Sequence, residues 1–173
     1  VREVGGVRVG LVGVTSPIVT ETMPKKCGGG LRFTGGADTL PRCIAKLRSE
    51  DKVDLIVVVS HLGFPQEVKL VKEVEGIDVL LSGHTHNRLA EPVRIGQTLL
   101  IQSGFDGSFL GRLDLEVEGR HVCGFQHQLI EVAEAIEPDA ETEAVINEQL
   151  APFRERLSEV VGQTATALNR MTV

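Results

Sequence analysis

The chain contains no tryptophan and no tyrosine, and its aromatic content is six phenylalanines among 173 residues. Stacking against a base or a sugar by this chain alone therefore falls to phenylalanine. Cysteine is scarce too. Cys27, Cys43 and Cys123 are widely spaced, odd in number and form no C-x-x-C pair, so they read as free thiols rather than a disulfide framework. No run of about 18 apolar residues occurs, so no segment is expected to span a membrane. Positive charge is in the minority, with 18 Lys and Arg against 24 Asp and Glu, a formal charge of −6. An acidic chain without a basic run is a poor nucleic-acid binder, because phosphate backbones are recognised by clustered cations. An anionic phosphate can still be held where metal ions supply the positive charge. The N-terminus has no basic region followed by an apolar stretch, so no signal peptide is visible. It opens without Met, directly in strand-like sequence, and a preceding part is expected to lie outside this chain.

What is present is ordinary globular sequence, 42% apolar and 24% charged, long enough for one domain with a sizeable core. Residues 1–14 read as a short hairpin turning at Gly5-Gly6. Residues 21–36 are glycine-rich and polar, a surface loop; its segment Cys27–Gly30 matches no phosphate-binding glycine motif. Leu40, Ile44 and Leu47 predict an amphipathic helix over 37–48. Val53–His61 is a nearly continuous β-branched run, as in a strand covered on both faces of a parallel sheet. Val68, Val71 and Val74 predict a helix over 65–74, with Pro65 in its first turn. Within Ile77–His86 lies a second apolar strand ending in Ser82-Gly83, completing a right-handed βαβ unit. Beyond Pro92, short runs at 93–95, 98–102, 111–117 and 121–132 read as an antiparallel meander. Asp139 should cap a helix over 141–161 that Pro152 kinks or splits. The fold class is therefore α/β, divided into 1–132 and a C-terminal helical region, 133–173.

Three of the five histidines fall at one place in this topology. His61 ends the first apolar strand, and His84 and His86 stand just past the second. Parallel strands open their carboxyl ends on the same edge of the sheet, where ligands bind. In extended chain, residues i and i+2 project to the same side, roughly 6–7 Å apart. Paired metal ions in hydrolytic sites lie roughly 3.5–4 Å apart, so His84 and His86 are expected to reach neighbouring ions. Gly83 lets the backbone turn sharply there. His121 and His127 sit among apolar residues of strand pattern and read as structural.

The segments VDLIVVVSHLG, GIDVLLSGHTHN and IQSGFDGSFLGRLDLEV resemble the C-terminal half of the calcineurin-like metallophosphoesterase domain, specifically its 5'-nucleotidase and UDP-sugar hydrolase branch. GVRVGLVGVTSP and LRFTGGADTLPRCIAKLR are similar to that branch as well. The resemblance implies a partial four-layer α/β/β/α sandwich and a centre of two divalent ions, Zn or Mn. His61 and His84 would hold one ion and His86 its neighbour. It further implies hydrolysis of a nucleotide-type phosphate ester by in-line attack of activated water, and export to the periplasm or cell surface.

The chain also departs from that family. Its D-x-H, bridging G-D and G-N-H-E motifs are absent; no D-x-H and no G-N-H occurs anywhere. Asp54 and Asp78 lie at the far ends of their strands, and Asp106 lies in a loop. The chain is thus expected to be cut at both ends, to bind metal weakly, and to have little phosphoesterase activity alone. An uncovered sheet face would favour homo-oligomers. The competing readings are a non-enzymatic metal-binding module, for which no fourth ligand is evident, and a sulfur-ester hydrolase of the same superfamily.

Overall fold

A computed structural model describes residues 1–24, 26 and 29–166. Cys27 and Gly28, within the glycine-rich segment, and the last seven residues lie outside the described residues. The chain divides into two compact units, Val1–Ala133 and Glu134–Val173.

The first unit opens with the expected hairpin, β1 (Arg2–Val4) and β2 (Val7–Val14). Gly5 and Gly6 both take positive φ in its turn, the backbone that two-residue hairpins require. A single helical turn, α1 (Val19–Thr22), has no counterpart in the expected pattern; α2 (Leu40–Ser49) begins three residues later than expected. Then come β3 (Leu55–Ser60), α3 (Phe64–Glu73), β4 (Val79–Leu81), β5 (Val93–Ile95), β6 (Thr98–Ile101), β7 (Phe109–Glu118) and β8 (His121–Glu131).

Six strands form one sheet in the order β1-β2-β3-β4-β6-β5, with β2, β3, β4 and β6 mutually parallel. This corrects the meander expected after Pro92. β5–β6 and β7–β8 pair antiparallel as expected, but β6 also pairs parallel with β4 as a buried strand of the main sheet, and β7–β8 form a separate ribbon. The physical reason is visible in Thr98–Ile101, buried at all four positions, as a strand covered on both faces must be. The second apolar strand, expected to end in Ser82-Gly83, runs over Val79–Leu81.

Alternation sets the layers. Ile56, Val58, Leu80 and Leu100 face α2 and α3 and pack with Leu40, Ile44, Leu70, Val71 and Val74 into the core. Burial of each such side chain stabilises the fold by about 1.5–3 kcal/mol. On the other face Leu55, Val79, Leu99 and Ile101 are buried, whereas Leu11 and Val59 remain 49% and 50% exposed. The ribbon lies on the covered part: the position of a Cβ at Gly111 would be 3.8 Å from Ile101.

At the amino ends of β3 and β4, Asp78 accepts from Arg48 and from the Ile56 N–H, both at 2.6 Å. Burial raises its carboxyl above the ordinary aspartate value, outweighing the lowering by the Ile56 N–H and the Arg48 guanidinium. Asp54 accepts the Arg8 N–H at 2.9 Å. Both carboxylates thus serve the end of the sheet away from the histidines.

The second unit is helical. α4 (Ala140–Leu150) is capped by Asp139, whose carboxylate accepts the Thr142 N–H at 2.8 Å. Pro152 breaks the helix into a 3-10 turn at Ala151–Phe153 and a short α5 (Arg154–Leu157). The helix anticipated through Val161 therefore stops at Leu157. No helix of the described residues is long and apolar enough to cross a membrane.

Candidate metal centre

β3 and β4 deliver their carboxyl ends side by side, and their ladder stops at Val59 and Leu81. Immediately beyond, the His61 N–H donates to the Val14 carbonyl at 2.9 Å, and the Leu62 N–H to the Ser60 hydroxyl at 3.2 Å. After β4, the Ser82 N–H donates to the Ile101 carbonyl at 2.9 Å. The chain then turns tightly through Gly83-His84-Thr85-His86. His84 and His86 have φ of 74° and 59°, a left-handed backbone that costs a non-glycine residue roughly 1–3 kcal/mol. The extended spacing expected for these two histidines is therefore corrected. They follow one another through a coiled turn beyond the end of β4, and not in extended chain.

Two of the three histidines come together. The rings of His61 and His84 stand edge to face with centroids 5.1 Å apart. His86 is turned aside and stacks on Phe105, with centroids 5.0 Å apart and planes 14° from parallel. All three rings are solvent-exposed. No group of three or more His, Cys, Asp or Glu side chains that could hold a metal ion occurs among the described residues. The donor chemistry fits a divalent ion as a pair: two imidazoles, each with a ring nitrogen able to ligate when neutral.

The turn is fastened by groups that no sequence motif singles out. The Thr85 hydroxyl accepts the Phe64 N–H at 3.0 Å, tying the histidine turn to the start of α3. Buried Gln102 accepts the Asn87 N–H at 2.7 Å through its side chain and the Leu89 N–H at 3.1 Å through its backbone. Glu67 of α3 is fully buried against the same two loops. Glycine is required where the loops touch: a Cβ at Gly83 would stand 2.9 Å from His61 Nδ1, and one at Gly63 would stand 2.9 Å from the Thr85 methyl. A cavity of about 310 Å³ opens beside the turn, lined by Ser82, Gln102, Ser103, Phe105 and Phe109 among others. A larger one, about 610 Å³, lies at the other end of the sheet beside Arg48, Asp78 and Arg120 and holds none of the three histidines.

No family model matches the chain. Over 174 residues it is 26% identical to the trifunctional nucleotide phosphoesterase YfkN of Bacillus subtilis, covering 96% of this chain and 12% of that protein. Over 162 residues it is 27% identical to the metallophosphoesterase YunD of the same organism, covering 92% and 34% respectively. Among solved structures, the sulfate thiohydrolase SoxB of Thermus thermophilus superposes with a TM-score of 0.83 at 30% identity, covering 89% of this chain and 28% of that one. A 5'-nucleotidase precursor, also from Thermus thermophilus, superposes at 0.82 with 22% identity, covering 94% and 35%, a likeness of fold. The chain thus spans about a third or less of the length of these relatives.

Proposed function

We propose, from the premise that this chain belongs with the calcineurin-like metallophosphoesterases of the 5'-nucleotidase branch, that it carries part of the dinuclear metal centre of a nucleotide-type phosphoesterase. The observation that carries the reading is the ring-to-ring approach of His61 and His84 at the ends of adjacent parallel strands. His61 and His84 would hold one divalent ion, Zn or Mn, and His86 would hold its neighbour. When bound, such ions supply the positive charge and Lewis acidity that cleavage of a phosphate ester by water needs. The chain's own residues do the orienting. The left-handed turn and the Thr85 and Gln102 hydrogen bonds fix the direction in which the second loop presents its imidazoles. Stacking on Phe105 occupies a face of the His86 ring and leaves the in-plane nitrogens, through which an imidazole ligates, at its edge.

The remaining ligands and the catalytic acid are assigned to residues outside this chain. The first unit is the histidine-bearing half of the catalytic domain, and the second a helical linker toward a substrate domain. The isolated chain then binds metal weakly and turns over little substrate. Export to the periplasm or surface accords with relatives that include a snake venom 5'-nucleotidase. The likeness to a sulfate thiohydrolase favours one second reading, hydrolysis of a sulfur ester at the same centre.

Equilibrium dialysis of the chain against zinc tests the site. Binding that His61→Ala and His84→Ala each abolish is the expected result; binding indifferent to both overturns it. Rapid metal-dependent hydrolysis of a 5'-nucleotide by the chain alone would refute the division of the centre. Supplying the missing half as a co-expressed fragment, then comparing 5'-nucleotides with sulfur esters, separates the two substrate readings.

A further inference from the structure

Glu67 is the one charged side chain that is fully buried among the described residues. It lies on the face of α3 that carries Leu70 and Val71 into the core. A leucine there would pack without the cost of desolvating a carboxylate, which amounts to several kcal/mol before its partners offset it. Stability alone therefore does not account for an acid at this position.

Its hydrogen bonds indicate what does. Glu67 Oε1 accepts the Gly63 N–H at 3.2 Å, two residues past His61. Glu67 Oε2 accepts the Ser82 hydroxyl, two residues before His84. The β3–β4 ladder has ended at Val59 and Leu81, so beyond that point no ladder bond sets the separation of the two loops. They nonetheless abut so closely that neither Gly63 nor Gly83 has room for a methyl group. One carboxylate on a third element spans the gap where the ladder stops.

We propose that Glu67 is a positioning residue: its carboxylate takes over from the ladder and fixes the separation at which His61 and His84 can share one ion. This rests on the reading of those histidines as ligands. Glutamine should replace it, because its amide oxygen can accept from Gly63 while its NH2 donates to the Ser82 oxygen.

The test measures zinc affinity by competition with a chromophoric chelator, and amide exchange at Gly63, Phe64 and Thr85, on the full 173-residue chain. Glu67→Ala and Ser82→Ala should weaken zinc binding about 10- to 100-fold, as loss of an outer support does. Both should accelerate exchange at the three loop amides while Val58 and Leu80 keep their protection, and Glu67→Gln should restore both readings. A merely structural acid would instead lower protection across the core, and Glu67→Gln would not restore zinc affinity. Wild-type affinity and unchanged loop exchange in Glu67→Ala or Ser82→Ala overturns the proposal; Ser82→Ala decides should Glu67→Ala fail to fold. A wild-type chain that binds no zinc refutes the ligand reading, and the exchange data then decide whether Glu67 sets the loops.

Discussion

Replacing Gly83 by alanine adds one methyl group at the closest point between the two histidine-bearing loops. That methyl would lie 2.9 Å from His61 Nδ1 and 3.1 Å from the Ser60 carbonyl oxygen. Ordinary contacts of this kind begin near roughly 3.5 Å, so both must open by about half an ångström. The imidazole can swing away cheaply, but the Ser60 carbonyl belongs to the last residue of β3 and moves only with its strand. Overpacking of this kind costs typically about 1–3 kcal/mol, and the lower end applies because one of the two neighbours is a rotatable ring. The ring that moves is a proposed ligand, and its displacement from His84 should cost about tenfold in zinc affinity, equivalent to about 1.4 kcal/mol. Gly13→Ala is the control. It has nothing within 4 Å of the new methyl and no positive φ. It should gain about 0.4–1 kcal/mol by restricting the unfolded chain. Urea titration followed by far-UV circular dichroism reads the stabilities, since a chain without Trp or Tyr offers little fluorescence. A Gly83→Ala protein with the wild-type urea midpoint and wild-type zinc affinity would refute the close-approach argument.

Leu80→Ala, at a fully buried position between both helices and the sheet, should lose about 2–5 kcal/mol in the same urea assay. Asp139 gives a pH dependence with a definite sign. The Thr142 N–H lowers its carboxyl in the helix, so its stabilisation of α4 is full above the unfolded value of 3.8 and disappears as pH falls through the lower folded value. Helical dichroism should decline over that acid range, and Asp139→Ala should lower it at neutral pH and flatten the profile. The half-exposed Leu11 and Val59 give the sheet an uncovered apolar strip, so the chain should self-associate at high concentration, and Leu11→Lys should shift sedimentation toward monomer.

The βαβ unit is legible because Val53–Ser60 is apolar at almost every position and Pro65 opens the following helix, local signals that survive in one dimension. The joining of β6 to the parallel sheet is harder to see, though its signal is present. Thr98–Ile101 is as continuous as β3, but its neighbour across a Gly96-Gln97 turn suggests a hairpin and nothing more. Chain position finds the three histidines, yet not their geometry. Whether a Gly-His-Thr-His segment runs extended or coils through left-handed φ depends on where β4 leaves the sheet, which its apolar run does not mark. Glu67 is hidden for a different reason. Valines at 68, 71 and 74 mark a helix face that does pack on the core, but Glu67 and Leu70 are buried beside it, where the valine spacing does not point. A carboxylate reads as solvent-facing unless its partners are known, and these lie four and fifteen residues away, on two other loops.

The pairing of β2 with β3 joins residues 46 apart, as with Arg8 and Asp54, whereas β7 and β8 meet across a turn of a few residues. Ribbons closed by short turns assemble in about 1–10 μs, while distant parallel pairings wait on the entropy of closing a long loop. The ribbon should accordingly form early and the β2–β3 seam late. The seam also leads into His61, just past β3, and the His61 N–H donates to the Val14 carbonyl, so the strand edge beside the first histidine should be set late in folding.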